Sequence, residues 1–163
     1  FKAMFIEVYE VTFNLSADTF PSYVTVINSS GISVDFGNTI SIEAGKQETY
    51  TIILTKHYSL VKTIDESTGS AIEGNTANYN YDKTKMVLTI TNTNANENYN
   101  FTIYVQAIEY TVEYKLYNTS GEILTPEPGD ITLATESAIV TVGNVISAQN
   151  ISINPDSVYK FVT

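Results

Sequence analysis

The sequence predicts an all-β protein built as a sandwich of short strands, and three observations predict it. Thr, Ile, Val, Tyr and Phe dominate the 163 residues, twelve of which are tyrosine, and these side chains fit a pleated, half-buried surface better than a helix. Several segments alternate apolar and polar residues with a period of two, whereas none of useful length carries the helical period of about 3.6. Turn-forming clusters of Gly, Asn, Ser and Pro separate the alternating segments at a spacing of roughly 8–12 residues, the rhythm of a β-sandwich.

Taken in order, the first strand is YEVTFNL at 9–15, where every odd position is apolar and every even one polar. That phase puts Tyr9, Val11, Phe13 and Leu15 on a core and the residues between them in water. Turns follow at Asn28-Ser29-Ser30-Gly31, Phe36-Gly37-Asn38 and Ala44-Gly45-Lys46. Strands are then predicted at 48–55, around Tyr58-Ser59-Leu60-Val61, at Met86-Val87-Leu88-Thr89-Ile90 and at Phe101-Thr102-Ile103-Tyr104-Val105. Between them lie turn signals at 67–70 and 73–75, a loop with Asn78-Tyr79-Asn80-Tyr81, and the Asn-rich run 92–100, read as a polar hairpin loop. The alternation returns as YTVEYKL at 110–116, followed by turns at Thr119-Ser120-Gly121 and Pro126-Glu127-Pro128-Gly129.

Composition narrows the function classes. Eighteen acids against eight bases give a formal charge of −10; every base is lysine, and Arg, Cys and Trp are absent. No disulfide, cysteine nucleophile or zinc–cysteine site can form. An acidic chain without guanidinium groups repels phosphate and lacks the planar fork that reads guanine, so nucleic acid is not an expected partner. No apolar run approaches the ~20 residues a membrane-spanning helix needs, and no signal peptide is expected at the start. With neither Trp nor Cys, the core pin of antibody domains is missing.

The chain also repeats itself. YEVTFNL at 9–15 and YTVEYKL at 110–116 lie 101 residues apart (110 against 9), about one sandwich domain. Asn38-Thr39-Ile40-Ser41 matches Asn144-Val145-Ile146-Ser147, and residues 57–63 resemble 158–163. Three pieces result: 1–8 as the last strand of a preceding repeat, 9–108 as a complete repeat and 109–163 as the first half of the next. Both ends then fall inside a repeat, so a longer tandem array is expected, or strand addition from another chain that completes the half unit. Between Tyr99 and Tyr117 there is no Gly, Pro or polar linker, which predicts a stiff joint.

The order of residues 9–106 resembles the Ig-like repeat common in structural proteins of tailed bacteriophages and in surface proteins of Gram-positive bacteria. That repeat has a G-x-x-Y-x-x-x-L strand, a G-Y-x-L turn, an I-T-I strand and a closing I-x-I-x-A strand. Gly45, Tyr50 and Leu54 follow the first element, with Tyr50 five residues past the glycine rather than three. His57 stands where the repeat usually has glycine before Tyr58, residues 17–35 look inserted, and the loop 65–75 lacks the usual glycine pair. The resemblance implies tandem Ig-like sandwiches without catalytic activity, acting as a stiff spacer or receptor-facing stalk in a virion head fibre, tail or decoration protein. The alternative is a bacterial cell-surface adhesin or stalk; a third reading is the accessory module of an extracellular polysaccharide-active enzyme. Implied partners are other virion or surface proteins, copies of the chain itself, and a host glycan or receptor; no cofactor is implied.

Candidate sites are few. His57, the one histidine, has no serine elbow to serve, and no paired acid/base arrangement is visible. Tyr79, Tyr81, Tyr99 and Tyr104 are the candidates for stacking on a carbohydrate, against the simpler reading that tyrosine suits strands. Asp65-Glu66 could open a calcium site, and Glu7, Glu10, Glu109 and Glu113 lie near the expected joints between repeats, where calcium could bind. No metal site is predicted, because the dense oxygen-ligand spacing is missing and solvated carboxylates suffice. Lys62 and Lys85 are candidates for isopeptide cross-linking, which needs a buried lysine. Asn14, Asn28, Asn100, Asn118 and Asn150 open N-x-S/T sequons that this composition produces by chance.

Overall fold

Alternation in sequence becomes alternation in space. In the computed structural model, which describes residues 4–133, 137–144, 151–158 and 160, the segment Val8–Leu15 is strand β1, with Tyr9, Val11 and Phe13 fully buried. The chain divides into two units, Phe1–Ala107 and Ile108–Thr163. Among the described residues both are all-β apart from one 3₁₀ turn at Pro21–Tyr23.

Two sheets form the first unit. One runs β3 (Thr39–Glu43), β1, β9 (Asn98–Ala107), β5 (Tyr58–Asp65) and β6 (Ser70–Ala71). The other runs β2 (Val24–Asn28), β4 (Thr49–Leu54), β8 (Val87–Ile90) and β7 (Tyr79–Asp82). The pairs are antiparallel except one: β1 lies parallel to β9, with Phe13 opposite Phe101. Inner residues of both sheets share one core: Tyr9, Val11, Phe13, Phe101 and Ile103 from one, Val24, Val26, Tyr50, Ile52, Leu88 and Ile90 from the other. At its centre Phe13 meets Tyr50 edge-on at 4.8 Å and Phe101 at 5.5 Å. Aromatic contacts of this kind contribute about 0.5–1.5 kcal/mol beyond area burial.

Three sequence expectations change here. The loop expected at Asn78-Tyr79-Asn80-Tyr81 is strand β7 from Tyr79 on, because Tyr79 and Tyr81 alternate inward with Asn80 and Asp82 outward. Residues 17–35 are no mere insertion, since they contain β2, whose Val24 and Val26 enter the core while Thr25 stays outside. The Asn-rich run 92–100 is loop only in part. Its last three residues begin β9, because Tyr99 shares the inward phase of Phe101, Ile103 and Val105.

In the second unit, β10 (Glu109–Glu113) pairs with β12 (Ser137–Thr141), and β11 (Ile131–Leu133) with β13 (Ile151–Ile153), both antiparallel. None of its described residues is buried; Ile139, Ile123 and Tyr117 are all exposed. Only Ile108 separates β9 from β10.

One turn recurs in both units. The Asn28 Oδ1 accepts hydrogen bonds from the Ser30 and Ile32 N–H groups, and the Asn118 Oδ1 from those of Ser120 and Glu122. Gly31 and Gly121 take φ of 76° and 82° at the same place, the left-handed region that glycine enters without steric cost. The Val34 N–H bonds to the Val26 carbonyl, as that of Leu124 does to Leu116. These turns are 90 residues apart (118 against 28), whereas the strand motifs are 101 apart. The connection that precedes β2 in the first unit, with its 3₁₀ turn, is shortened in the second. Residues 145–147 and 161–163, on which two other repeat matches fall, lie outside the described residues, as do Asn150 and residues 1–3 of the strand expected over 1–8.

Candidate functional site

Period-two geometry decides what each tyrosine can do. Tyr79 and Tyr81 are both inward residues of β7, each about 5% exposed, and Tyr99 is an inward residue of β9 at 7%. A ring inside the sandwich has no face left for a sugar, so these three are not a stacking platform. Their contacts are internal. Tyr79 packs edge-on against Phe101 at 5.5 Å, and its hydroxyl donates to the Asp65 Oδ2 at 3.1 Å. The Tyr99 hydroxyl donates to the Asn92 carbonyl at 2.6 Å. Burial, then the nearby Asp65 carboxylate, pushes the Tyr79 hydroxyl up to about 12. Tyr104 differs: it is out of phase with the core residues of β9 and sits half-buried on the outer face, with the Lys62 Nζ 4.7 Å from its ring centre. That cation–π contact already occupies one ring face.

Exposed aromatic surface lies elsewhere. Tyr23 and Tyr58 stack at 4.1 Å with 16° between their planes, and Phe20, 60% exposed, meets Tyr23 edge-on at 5.4 Å. No local pattern announces this cluster, because Tyr23, the last residue of the 3₁₀ turn before β2, meets Tyr58, the first residue of β5 in the other sheet. Tyr58 begins β5 just after His57, whose φ of 73° is left-handed. That region is one glycine enters without steric cost and other residues rarely adopt.

The Asp65 carboxylate is turned inward. Its Oδ1 accepts from the Ser67 N–H at 2.9 Å and the Ser67 hydroxyl at 2.6 Å, and its Oδ2 accepts from Tyr79. Its oxygens hold the β5–β6 turn, so Asp65 is not the solvated carboxylate expected from the sequence; it is buried and its oxygens are taken up by Ser67 and Tyr79. Glu7 and Glu10 are exposed around the start of β1, and Glu109 and Glu113 are exposed on β10 of the other unit, with Lys115 3.8 Å from Glu113. Among the described residues no three His, Asp or Glu side chains converge as a metal site would require. Lys62 and Lys85 are exposed, the latter paired with Asp82 at 3.4 Å, so neither is the buried lysine an isopeptide bond needs. Asn14 donates to the Asn100 Oδ1 across β1 and β9, tying two sequons to each other.

Between the two sheets, on the side of β5 and β7, opens a cleft of about 380 Å³. Leu54, Leu60, Ile72 and Met86 give it apolar walls, and Tyr58 from the aromatic cluster also lines it. Lys62, Lys83 and Glu73 lie among its lining residues, together with Thr63 and Tyr81. The hydroxyl oxygens of those last two residues are buried beside each other. Burial, above all, raises the Tyr81 hydroxyl, and the nearby Thr63 opposes it. This cleft and the Phe20–Tyr23–Tyr58 cluster are two concave or aromatic surfaces of the first unit.

No protein-family model matches the chain, and no curated protein or solved structure matches it significantly. Among the described residues no helix is long and apolar enough to cross a membrane.

Proposed function

We propose that the chain is a non-catalytic structural and adhesive module made of tandem Ig-like sandwiches, serving as a stiff spacer or receptor-facing stalk on a phage virion. The observation that carries this reading is the junction: β9, a central strand of the first sandwich, passes to β10 of the second unit through the single residue Ile108. A connection that short, without Gly or Pro, is unlike the Gly/Ser-rich composition of a flexible linker. The shared Asn-x-Ser-Gly turn supports a repeat relation between the units. Among the described residues of the second unit the sheets are two-stranded and no residue is buried, which fits a sandwich completed by further strands. Bacterial cell-surface display is the alternative that the same resemblance supports.

Immunogold electron microscopy with an antibody raised against the first unit tests the proposal on the source material. Label on capsids, tails or fibres is the expected result. Label on the cell wall transfers the module to a bacterial adhesin or stalk, and label on neither overturns the reading.

A further inference from the structure

An edge strand offers unpaired backbone groups to any other strand, and proteins blunt such edges with bulges, lysines or a covering segment. Three edges of the first sandwich are blunted. β2 is covered by its own hairpin, where the Asn28 N–H donates to the Ile32 carbonyl and the Val34 N–H to the Val26 carbonyl. β6 pairs only with Ile64 and Asp65 of β5, and the rest of β5 carries a register shift at Leu60/Lys62 and the exposed lysine itself. β7 is four residues long and ends in the Asp82–Lys85 ion pair. β3, Thr39-Ile40-Ser41-Ile42-Glu43, has none of these devices and keeps a regular register with β1. Among the described residues no strand pairs with it on the side away from β1. The register also fixes which of its groups are free. Ala44 donates its N–H to the Glu7 carbonyl, and the Glu10 N–H turns the other way, to the Glu97 carbonyl near β9. By the alternation of an antiparallel ladder, Ile40 and Ile42 bond to β1, and the backbone groups of Thr39, Ser41 and Glu43 point outward.

We infer that β3 is a self-association edge, which pairs antiparallel with β3 of a second copy across a twofold axis at Ser41. The strand is its own complement in that register. Ser41 lies opposite Ser41 of the second copy and Thr39 opposite its Glu43, so outward-pointing backbone groups meet and each pair exchanges two hydrogen bonds. On the core side Ile40 lies opposite Ile42 of the second copy, and both of these half-buried side chains gain cover. Copies of a chain with a formal charge of −10 repel one another, but this edge sets no like charges face to face. Its one carboxylate, Glu43, is paired with Lys46 and meets a threonine across the axis. Five residues of edge pairing make a small interface, so the dimer is weak and reversible. The inference gives a surface to the self-association that the resemblance implies, and it does not depend on the virion reading.

Sedimentation velocity on the full 163-residue chain, from micromolar to millimolar concentration, tests it. A reversible monomer–dimer equilibrium is expected. Ser41→Pro removes the N–H at the axis from both copies and should raise Kd about tenfold, the equivalent of one to two hydrogen bonds. That N–H is not used by the β1 ladder, so proline is tolerated there as it is on edge strands. If Ser41→Pro fails to fold, two lysine variants decide. Ser41→Lys sets like charges opposite each other and should weaken the dimer about threefold, whereas Thr39→Lys faces Glu43 of the second copy and should tighten it by a similar factor. Both variants have the same net charge, so opposite signs report the register and not general repulsion. A monomer at every concentration, a dimer indifferent to these substitutions, or two lysine variants that act alike would each overturn the inference, and none of them alters the immunogold test.

Discussion

Replacing Tyr50 by phenylalanine removes a single oxygen from the centre of the first unit, and the expected result is a more stable protein. Tyr50 is fully buried on β4, and its hydroxyl has no hydrogen-bond partner among the described residues. Burial, reinforced by the charge of Glu48, pushes that hydroxyl's ionisation far above the ordinary range. A buried hydroxyl without a partner costs ~1–3 kcal/mol, whereas the ring, which makes the contact with Phe13, is kept. After allowing for the small void left behind, Tyr50→Phe should stabilise by about 1 kcal/mol. In a unit of about 100 residues that raises the melting temperature by ~4–8 °C. Tyr9 supplies the control, being equally buried but donating to the Lys46 carbonyl at 2.8 Å. Tyr9→Phe should therefore destabilise by about 0.5–1.5 kcal/mol, so one chemical change gives opposite signs at two core positions. Urea denaturation followed by far-ultraviolet circular dichroism measures both. A loss of 1 kcal/mol or more in Tyr50→Phe would refute the reasoning, since it would mean that the hydroxyl is bonded in solution.

Tyr79→Phe removes a donor from the buried Asp65 carboxylate, and a loss of ~1.5–3 kcal/mol is expected; a neutral outcome in the same denaturation assay contradicts the inward placement of Asp65. At the left-handed position of His57, a β-branched residue is strained, so His57→Val should lose about 1–2 kcal/mol while His57→Gly changes stability by less than about 1. Equal melting temperatures for these two variants would show that the backbone is not held there. Stability should also fall at high pH. Tyr9 and Tyr79 ionise at about 12 in the fold, chiefly because of burial, against about 10 in the unfolded chain. Their neutral forms therefore contribute stability that is complete below pH ~10 and lost as pH rises through ~12. Tyrosinate absorbance against pH should show some tyrosines titrating only as the circular dichroism signal collapses; simple titration of all twelve near 10 in a folded protein would be the contrary result.

Much of the strand pattern was legible because β-structure writes itself locally. Tyr9, Val11 and Phe13 are buried on the phase their alternation predicts, and Leu88 and Ile90 of β8 obey the same rule. The same rule contained the answer for the tyrosines. Tyr99 is in phase with Phe101 and Ile103 and so points inward, whereas Tyr104 is out of phase and remains outside. Choosing the four by residue type alone, without that phase, placed three core rings in a candidate binding surface. Strand β2 was missed for another reason, since only Val24 and Val26 mark it and a two-point alternation is a weak signal.

The sequence by itself determined that the protein is all-β, which faces of its clearest strands are apolar, and where several of its turns fall. All of these rest on contacts between neighbours in the chain: side-chain direction, backbone dihedrals and the Asn and Gly chemistry of turns. Tertiary structure alone decided that β1 lies parallel to β9, that Tyr23 stacks on Tyr58, and that Thr63 and Tyr81 line a cleft. Those arrangements join residues tens of positions apart, and the free energy that selects them comes from packing one sheet against the other, which a local pattern does not encode.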